Sequence, residues 1–211
     1  MSTSEFILEK FNLKKDLPIR LPGVSRKHLT VWLRELGFKV GVEVGTAQGK
    51  FLRSLCFENP TMKFYAVDPW LVYEGYPDVQ APEMNRIIKG FPIYMAPYSN
   101  YEVIKKYSMD AVKDFEDNSI DFVYIDANHE DPYVTQDITE WTKKVKSGGI
   151  VAGHDYITKE LDGFHWDWDV VTAVNKYVKK NKIKYFFVLG LDEKVPGMTR
   201  EPSRSWMFIK P

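Results

Sequence analysis

The sequence predicts an α/β fold, a doubly wound sheet of seven strands that is mostly parallel and carries one antiparallel edge strand. Three observations predict it. The stretch from Val42 to Phe51 reads as a buried strand entering a turn bracketed by Gly45 and Gly49 and opening a helix. Two further strands end on acids, Tyr65-Ala66-Val67-Asp68 and Phe122-Val123-Tyr124-Ile125-Asp126. Apolar runs of strand length alternate with amphipathic helices, the order that sets parallel strands side by side with helices on both faces. Such a sheet offers a ligand its strand ends along one carboxyl edge.

The elements follow in order. Residues 1–24, with Pro18, Pro22 and Gly23, read as an N-terminal arm, and residues 25–211 as a single domain. Ser25 is an N-cap for a helix whose apolar stripe is Leu29, Trp32, Leu33 and Leu36, and Gly37 stops it. His28 on that helix packs or faces solvent. Residues 39–44 form the first strand, 48–57 the next helix and 63–67 the second strand. Residues 71–100 exceed a short connection and read as an insertion with a helix around 83–89. Residues 103–106 make a short third strand, after which Ser108 caps a helix running through Phe115; a helix from Ser99 onward satisfies the pattern too. The fourth strand spans 120–125, and residues 133–144 are helical. Gly148-Gly149 turns the chain into a fifth strand over 150–152. A helix over 169–180 bears Val170, Val171, Val174 and Val178. Residues 184–189 and 205–210 close the sheet. Their link, with Pro196, Gly197 and Pro202, shows no helical pattern, which suits an antiparallel pair.

Composition narrows the function classes. Lysine plus arginine and aspartate plus glutamate both number 29, so the formal net charge is zero. Without a basic surplus, nucleic acid is not an expected partner. No apolar run is long enough to span a bilayer, so no membrane partner is expected. The single cysteine, Cys56, excludes an intramolecular disulfide and fits a cytoplasmic, reducing location. Among Leu52, Leu55 and Phe57 it reads as a core residue.

The glycine turn lets backbone N–H groups approach a nucleotide-like ligand closely. Asp68, at a strand end, can accept hydrogen bonds from both hydroxyls of a ribose, a device that nicotinamide-dependent dehydrogenases also use. The glycine spacing is not G-x-G-x-x-G, however, and Glu43 ahead of the first glycine suits a positively charged group better than a pyrophosphate.

Residues 43–49 resemble the first motif of class I S-adenosylmethionine-dependent methyltransferases, with their Rossmann-like sheet, and Asp68 matches their ribose-binding acid. Ile125-Asp126-Ala127-Asn128-His129, followed by residues 148–156 (Gly-Gly-Ile-Val-Ala-Gly-His-Asp-Tyr), resembles the small-molecule O-methyltransferase branch that includes macrocin-type sugar methyltransferases and cephalosporin-hydroxylase-like proteins. The resemblance covers about residues 25–190, without the arm or the insertion. Ala47 departs from it, since many members carry a second glycine there; alanine is tolerable if that backbone is not at positive φ. The resemblance implies methyl transfer from S-adenosylmethionine to a hydroxyl of a sugar, a glycan or another small polar acceptor. It implies that Glu43, Gly45, Thr46 and Gly49 meet the methionine part, Asp68 the ribose, Pro69 and Trp70 the adenosine, and Ser108 and Met109 the adenine. Asp126 would stand where the methionine part meets the acceptor. An NAD(P)-dependent oxidoreductase and a non-catalytic S-adenosylmethionine-binding module stand as alternatives.

Asp126, His129, His154 and Asp155 are the candidate catalytic residues, because neighbouring strand ends bring them to one edge. In related methyltransferases acids at these two strand ends can hold a divalent metal, so the resemblance implies that Asp126, His154 and Asp155 could bind Mg²⁺ or Mn²⁺, with the imidazole shifting preference towards a borderline ion. Alternatively His154 or His129 is a general base near its ordinary pKa, or His129 only anchors its loop. Tyr133 and Asp137 are expected to fasten a helix to a loop. The insertion's aromatic residues (Tyr73, Tyr76, Phe91, Tyr94, Tyr98 and, just beyond, Tyr101) suit either a lid or a homodimer interface. Residues 163–168, with two tryptophans, form a second candidate wall or a surface loop.

Overall fold

The computed structural model describes residues 2–11, 18–21, 23–72, 81–157, 169–190 and 203–211. The elements are α1 (Thr3–Phe11), β1 (Ile19–Leu21), α2 (Arg26–Glu35), β2 (Val40–Val44), α3 (Lys50–Glu58), β3 (Lys63–Val67), α4 (Ala81–Met95), β4 (Tyr101–Ile104), α5 (Ser108–Ala111), a 3₁₀ turn (Val112–Asp114), β5 (Ile120–Ile125), α6 (Tyr133–Lys144), β6 (Val145–Gly153), α7 (Val170–Lys180), β7 (Phe186–Leu189) and β8 (Ser205–Ile209).

One sheet holds the strands in the order β1-β7-β8-β6-β5-β2-β3-β4. It has eight strands, not seven. The extra one is β1, whose three residues pair in parallel with β7 and bury Ile19 and Leu21. Three alternating residues are too short to carry a strand signal of their own. All pairings are parallel except those of β8, which runs antiparallel to both β6 and β7. β7 and β8 are thus the antiparallel pair expected, their link over residues 191–202 lying outside the described residues, and β7 and β1 lie outside β8.

The sheet is covered on both faces, as alternation along β5 shows. Phe122 and Tyr124 join a core with Leu29, Trp32, Leu33 and Leu52 from α2 and α3, while Val123 and Ile125 join one with Ile138, Trp141 and Val174 from α6 and α7. A parallel strand buried on both sides reads as a continuous apolar run, which is why this one was the clearest in the sequence.

Several boundaries differ from expectation. The third strand begins at Tyr101, where its register with Phe64 starts. Ser108 is the first residue of α5 rather than its cap, and α5 gives way to a 3₁₀ turn before Phe115. β6 starts at Val145, and Gly148-Gly149 lies within it at a register shift against β5, with Gly148 at φ +79°. The glycines therefore accommodate an irregularity in the strand rather than a turn before it. His28 closes the start of α2, its Nδ1 accepting the Ser25 N–H at 3.0 Å. In the arm, α1 packs Ile7 into the core, and Thr3 Oγ1 donates to the Gly148 carbonyl at 2.7 Å. Among the described residues no helix is long and apolar enough to cross a membrane.

Candidate active site

The glycine turn leaves β2 at the centre of the sheet, between β3 and β5. Gly45 sits at φ +84°, and a Cβ there would lie 2.0 Å from the Asp126 carbonyl oxygen. Only glycine lets the two strand ends approach so closely. Gly49 caps α3 in a left-handed conformation at φ +79°, under Phe91 and Met95 of α4. Ala47 is also left-handed, at φ +46°, so the condition under which its alanine was expected to be harmless is not met. Two hydrogen bonds hold it there. Asp68 Oδ2 accepts the Ala47 N–H at 2.8 Å, and Trp70 Nε1 donates to the Ala47 carbonyl at 2.9 Å.

Asp68 therefore shapes the turn as well as lining a cavity. Its Oδ1 accepts the Trp70 N–H at 2.6 Å, which leaves each carboxylate oxygen a further lone pair. Burial raises its pKa against the lowering effect of these two bonds. A cavity of about 330 Å³ opens beside it. Gly45, Ala47, Asp68, Pro69, Ser108 and Met109 line it, together with Leu71, Met84, Ile87, Asn128 and Tyr133. Trp70 does not line it. Its ring packs edge-on against Phe91, 5.0 Å between centroids, where it braces the turn.

A second cleft of about 320 Å³ shares Gly45, Ala47 and Ile87 with the first, and Glu43, Thr46 and Asp126 face it. Glu43 is 2% exposed, and its Oε2 has no hydrogen-bond partner among the described residues. Burial, with the nearby Asp126 charge, raises its pKa well above the carboxylate range. Thr46 hydrogen-bonds the Glu43 side chain, which leaves Oε2 as an unsatisfied buried acceptor at the lip of the cleft. Arg26 also faces this cleft, with Nη1 3.5 Å from Asp126 Oδ2 and the guanidinium over the Phe51 ring.

Behind Asp126 stand the other candidate residues. His154 Nδ1 lies 3.2 Å from Asp155 Oδ1 and 3.9 Å from Asp126 Oδ1. His129 Nε2 lies 2.9 Å from Asp155 Oδ2 and 3.6 Å from Asp126 Oδ1. One carboxylate, Asp155, thus holds both rings, and although burial opposes it, the two imidazoles keep Asp155 well below the usual carboxylate range. Burial lowers the pKa of His154, but Asp126 and Asp155 outweigh it and the net shift is upward. His154 Nε2 is buried with no hydrogen-bond partner among the described residues. Asp126, His154 and Asp155 each offer a ligand atom, all within 4.8 Å of one another. Two carboxylates and an imidazole with an unsatisfied nitrogen fit a divalent ion.

The sequence from residue 42 to 156, just over half of the chain, matches a family described as a methyltransferase domain. The chain belongs to this methyltransferase family. An uncharacterized protein of Acanthamoeba polyphaga mimivirus is 30% identical over 142 residues, which is 65% of this chain; the chain spans 58% of that relative's length. Among solved structures, the O-methyltransferase TomG from Streptomyces achromogenes, solved in complex with S-adenosylmethionine, is similar with a TM-score of 0.60 and 11% identity, over 88% of this chain and 79% of that one. The precorrin-6y C5,15-methyltransferase of Geobacter metallireducens is similar with a TM-score of 0.58 and 12% identity, over 88% and 87% of the two chains. At such identities the likeness is one of fold.

The first cavity has members that no motif marked, among them Lys106, Tyr107 and Gln136. Arg26 was missed as well, although its place directly after the Ser25 cap points it at the same edge as Asp126. Tyr133 and Asp137, expected only to fasten a helix, also line the cavity. Asp137 accepts a hydrogen bond from Ser108 Oγ, which in turn accepts from Trp141 Nε1 at 2.8 Å. Burial pushes the Asp137 carboxyl up to about 7 despite the Ser108 bond. A carboxyl whose folded pKa is raised favours the folded state below its unfolded value and loses that advantage as pH rises through the folded one. Stability should therefore fall between about pH 4 and pH 7, by at most about 4 kcal/mol. Asp137→Asn keeps an acceptor for Ser108 and removes the titration. Urea unfolding should show it more stable than the parent at pH 8, with the gain gone at pH 4.

Of the aromatic insertion, Phe91 belongs to the core, and Gly90 packs so closely on Gln48 that a Cβ would lie 2.3 Å from its Nε2. α4 is thus seated on the glycine turn. Tyr73, Tyr76 and the candidate wall at residues 163–168 lie outside the described residues.

Proposed function

We propose that the protein transfers the methyl group of S-adenosylmethionine to a hydroxyl of a sugar, a glycan or another small polar acceptor. The observation that carries the reading is Asp126 facing a cleft that shares Gly45, Ala47 and Ile87 with the cavity beside Asp68, with His154, Asp155 and His129 grouped behind it. In this reading the adenosine occupies the first cavity, with its ribose on Asp68 and its adenine towards Ser108 and Met109. The methionine part passes the turn, where Glu43 meets its ammonium group.

The acceptor enters the second cleft against Asp126. Its oxygen attacks the sulfonium methyl in line, the carbon–sulfur bond breaks, and S-adenosylhomocysteine leaves with the sulfur electron pair. The chain contributes mostly geometry, holding both reactants at the junction of the two clefts. The hydroxyl proton passes by way of Asp126, the member of the group that lines the cleft, to the His154 ring behind it, which Asp155 orients through Nδ1. His129, on the other oxygen of Asp155, holds that carboxylate in place. A divalent ion held by Asp126, His154 and Asp155 would instead supply a lowered hydroxyl pKa.

Calorimetric titration of S-adenosylhomocysteine into chelator-treated protein tests the cofactor. Saturable binding is expected. Repeating it with Mg²⁺ and then Mn²⁺ separates the two proton routes, since a metal-dependent heat lost in His154→Ala favours the ion and its absence favours the imidazole. A folded protein that binds no S-adenosylhomocysteine under any condition refutes the reading.

A further inference from the structure

We infer that the acceptor carries a phosphate group, received in a basic and aromatic cleft that continues outward from the second cleft; this rests on the methyl-transfer reading above. Lys50 is the link. It lines the cleft that holds Asp126 and also lines a neighbouring cleft of about 440 Å³. The outer cleft lies between α2, α3 and the end of α4, and its walls include Lys27, Arg53, Tyr94 and Tyr98. Arg86 faces the inner cleft beside Lys50.

Some cations of the surface pair with acids, as in Lys106–Asp114 at 2.6 Å, Lys144–Asp117 at 2.7 Å and Lys146–Asp121 at 2.6 Å, while others, such as Lys176 and Lys179 on α7, have no carboxylate within 4.0 Å among the described residues. Lys27, Lys50, Arg53 and Arg86 have no carboxylate within 4.0 Å among the described residues. The acids nearby do not neutralise them. Glu58 in the outer cleft is 2.8 Å from Arg34, Asp126 faces Arg26, and Glu83 alone on the inner rim stands exposed and unpaired.

A chain of zero net charge has thus gathered four cations, Lys27, Lys50, Arg53 and Arg86, against one exposed unpaired acid, Glu83, along one path leading from Asp126. Like charges in one cleft repel in the free protein and favour an anion when it arrives. A neutral sugar has no use for them. A phosphate, with several charged oxygens, matches ammonium and guanidinium groups offered from separate helices better than a single carboxylate does. Tyr94 and Tyr98, both half-buried, add ring faces and hydroxyls for a flat or sugar-like group beyond the phosphate.

The test titrates pyrophosphate, and in parallel the uncharged sugar cellobiose, into full-length protein saturated with S-adenosylhomocysteine. Lys27→Gln/Arg53→Gln is the informative variant. Both side chains are exposed and line only the outer cleft, and a thermal melt checks the fold. Pyrophosphate should bind saturably to the parent and about tenfold more weakly to the variant, with the affinity for S-adenosylhomocysteine unchanged. Raising salt from roughly 50 to roughly 300 mM should weaken it further. The inference is overturned if pyrophosphate does not bind, if the variant binds it as well as the parent, or if cellobiose alone binds. Failure of S-adenosylhomocysteine itself to bind overturns the cofactor reading, and the phosphate inference falls with it.

Discussion

Asp126→Asn is expected to lower methyl transfer by about 10²–10³-fold while S-adenosylhomocysteine still binds within about threefold of the parent. His154→Ala should do the same. The reason is geometric. Asp126 is the member of the group that faces the cleft, and His154 lies 3.9 Å behind its Oδ1. Replacing the carboxylate by an amide removes one of the two charges that keep the His154 ring basic. Removing the ring takes away the proton acceptor itself. Groups that act as a unit are not additive, so the double variant should lose little more than either single one. The measurement is S-adenosylhomocysteine formed from S-adenosylmethionine over a panel of hydroxylated acceptors. Full activity in both single variants would sink the assignment of the site. Loss of cofactor binding together with turnover would move Asp126 from the acceptor to the cofactor.

Gly45→Ala should destabilise the protein by roughly 3 kcal/mol or more and abolish cofactor binding in whatever fraction still folds. Two costs combine. The backbone is at φ +84°, and the new Cβ would meet the Asp126 carbonyl oxygen at 2.0 Å and the Ala127 Cα at 2.7 Å. Both obstacles are backbone, so relief requires β2 and β5 to part at their carboxyl ends, beside the two clefts that Gly45 lines. Two residues on, the opposite change should act in the opposite sense. Ala47→Gly relieves a left-handed alanine and should stabilise by about 0.5–1 kcal/mol. Urea unfolding of both variants reads the contrast, and an unchanged midpoint for Gly45→Ala would refute the close approach of the two strand ends.

Much of this was legible in the chain because the signals are local. The apolar run at 120–125, the glycine turn and the acids at the ends of β3 and β5 are contiguous patterns, and each stands where expected. Boundaries were less legible where context overrides the local signal. β1 is a strand only because β7 offers it an edge. Gly148-Gly149 stays in β6 because the strand tolerates a register shift there. Trp70, two residues after Asp68 in sequence, turns its ring towards Phe91 on an insertion whose position no motif encodes.

The site divides in the same way. Sequence alone determined that Asp126, His129, His154 and Asp155 gather at one edge, because parallel neighbouring strands must end together. It also set the glycine turn beside an acidic strand end, because each is a local pattern on a neighbouring parallel strand. Only the tertiary structure decided that Asp155 holds both imidazoles, that Arg26 faces Asp126 from α2, and that Ala47 is left-handed under Asp68 and Trp70. These are contacts between side chains far apart in sequence, set by how helices seat on the sheet. The unpaired cations along the outer cleft belong to this second kind, since a run of sequence shows a lysine but not the carboxylate it lacks.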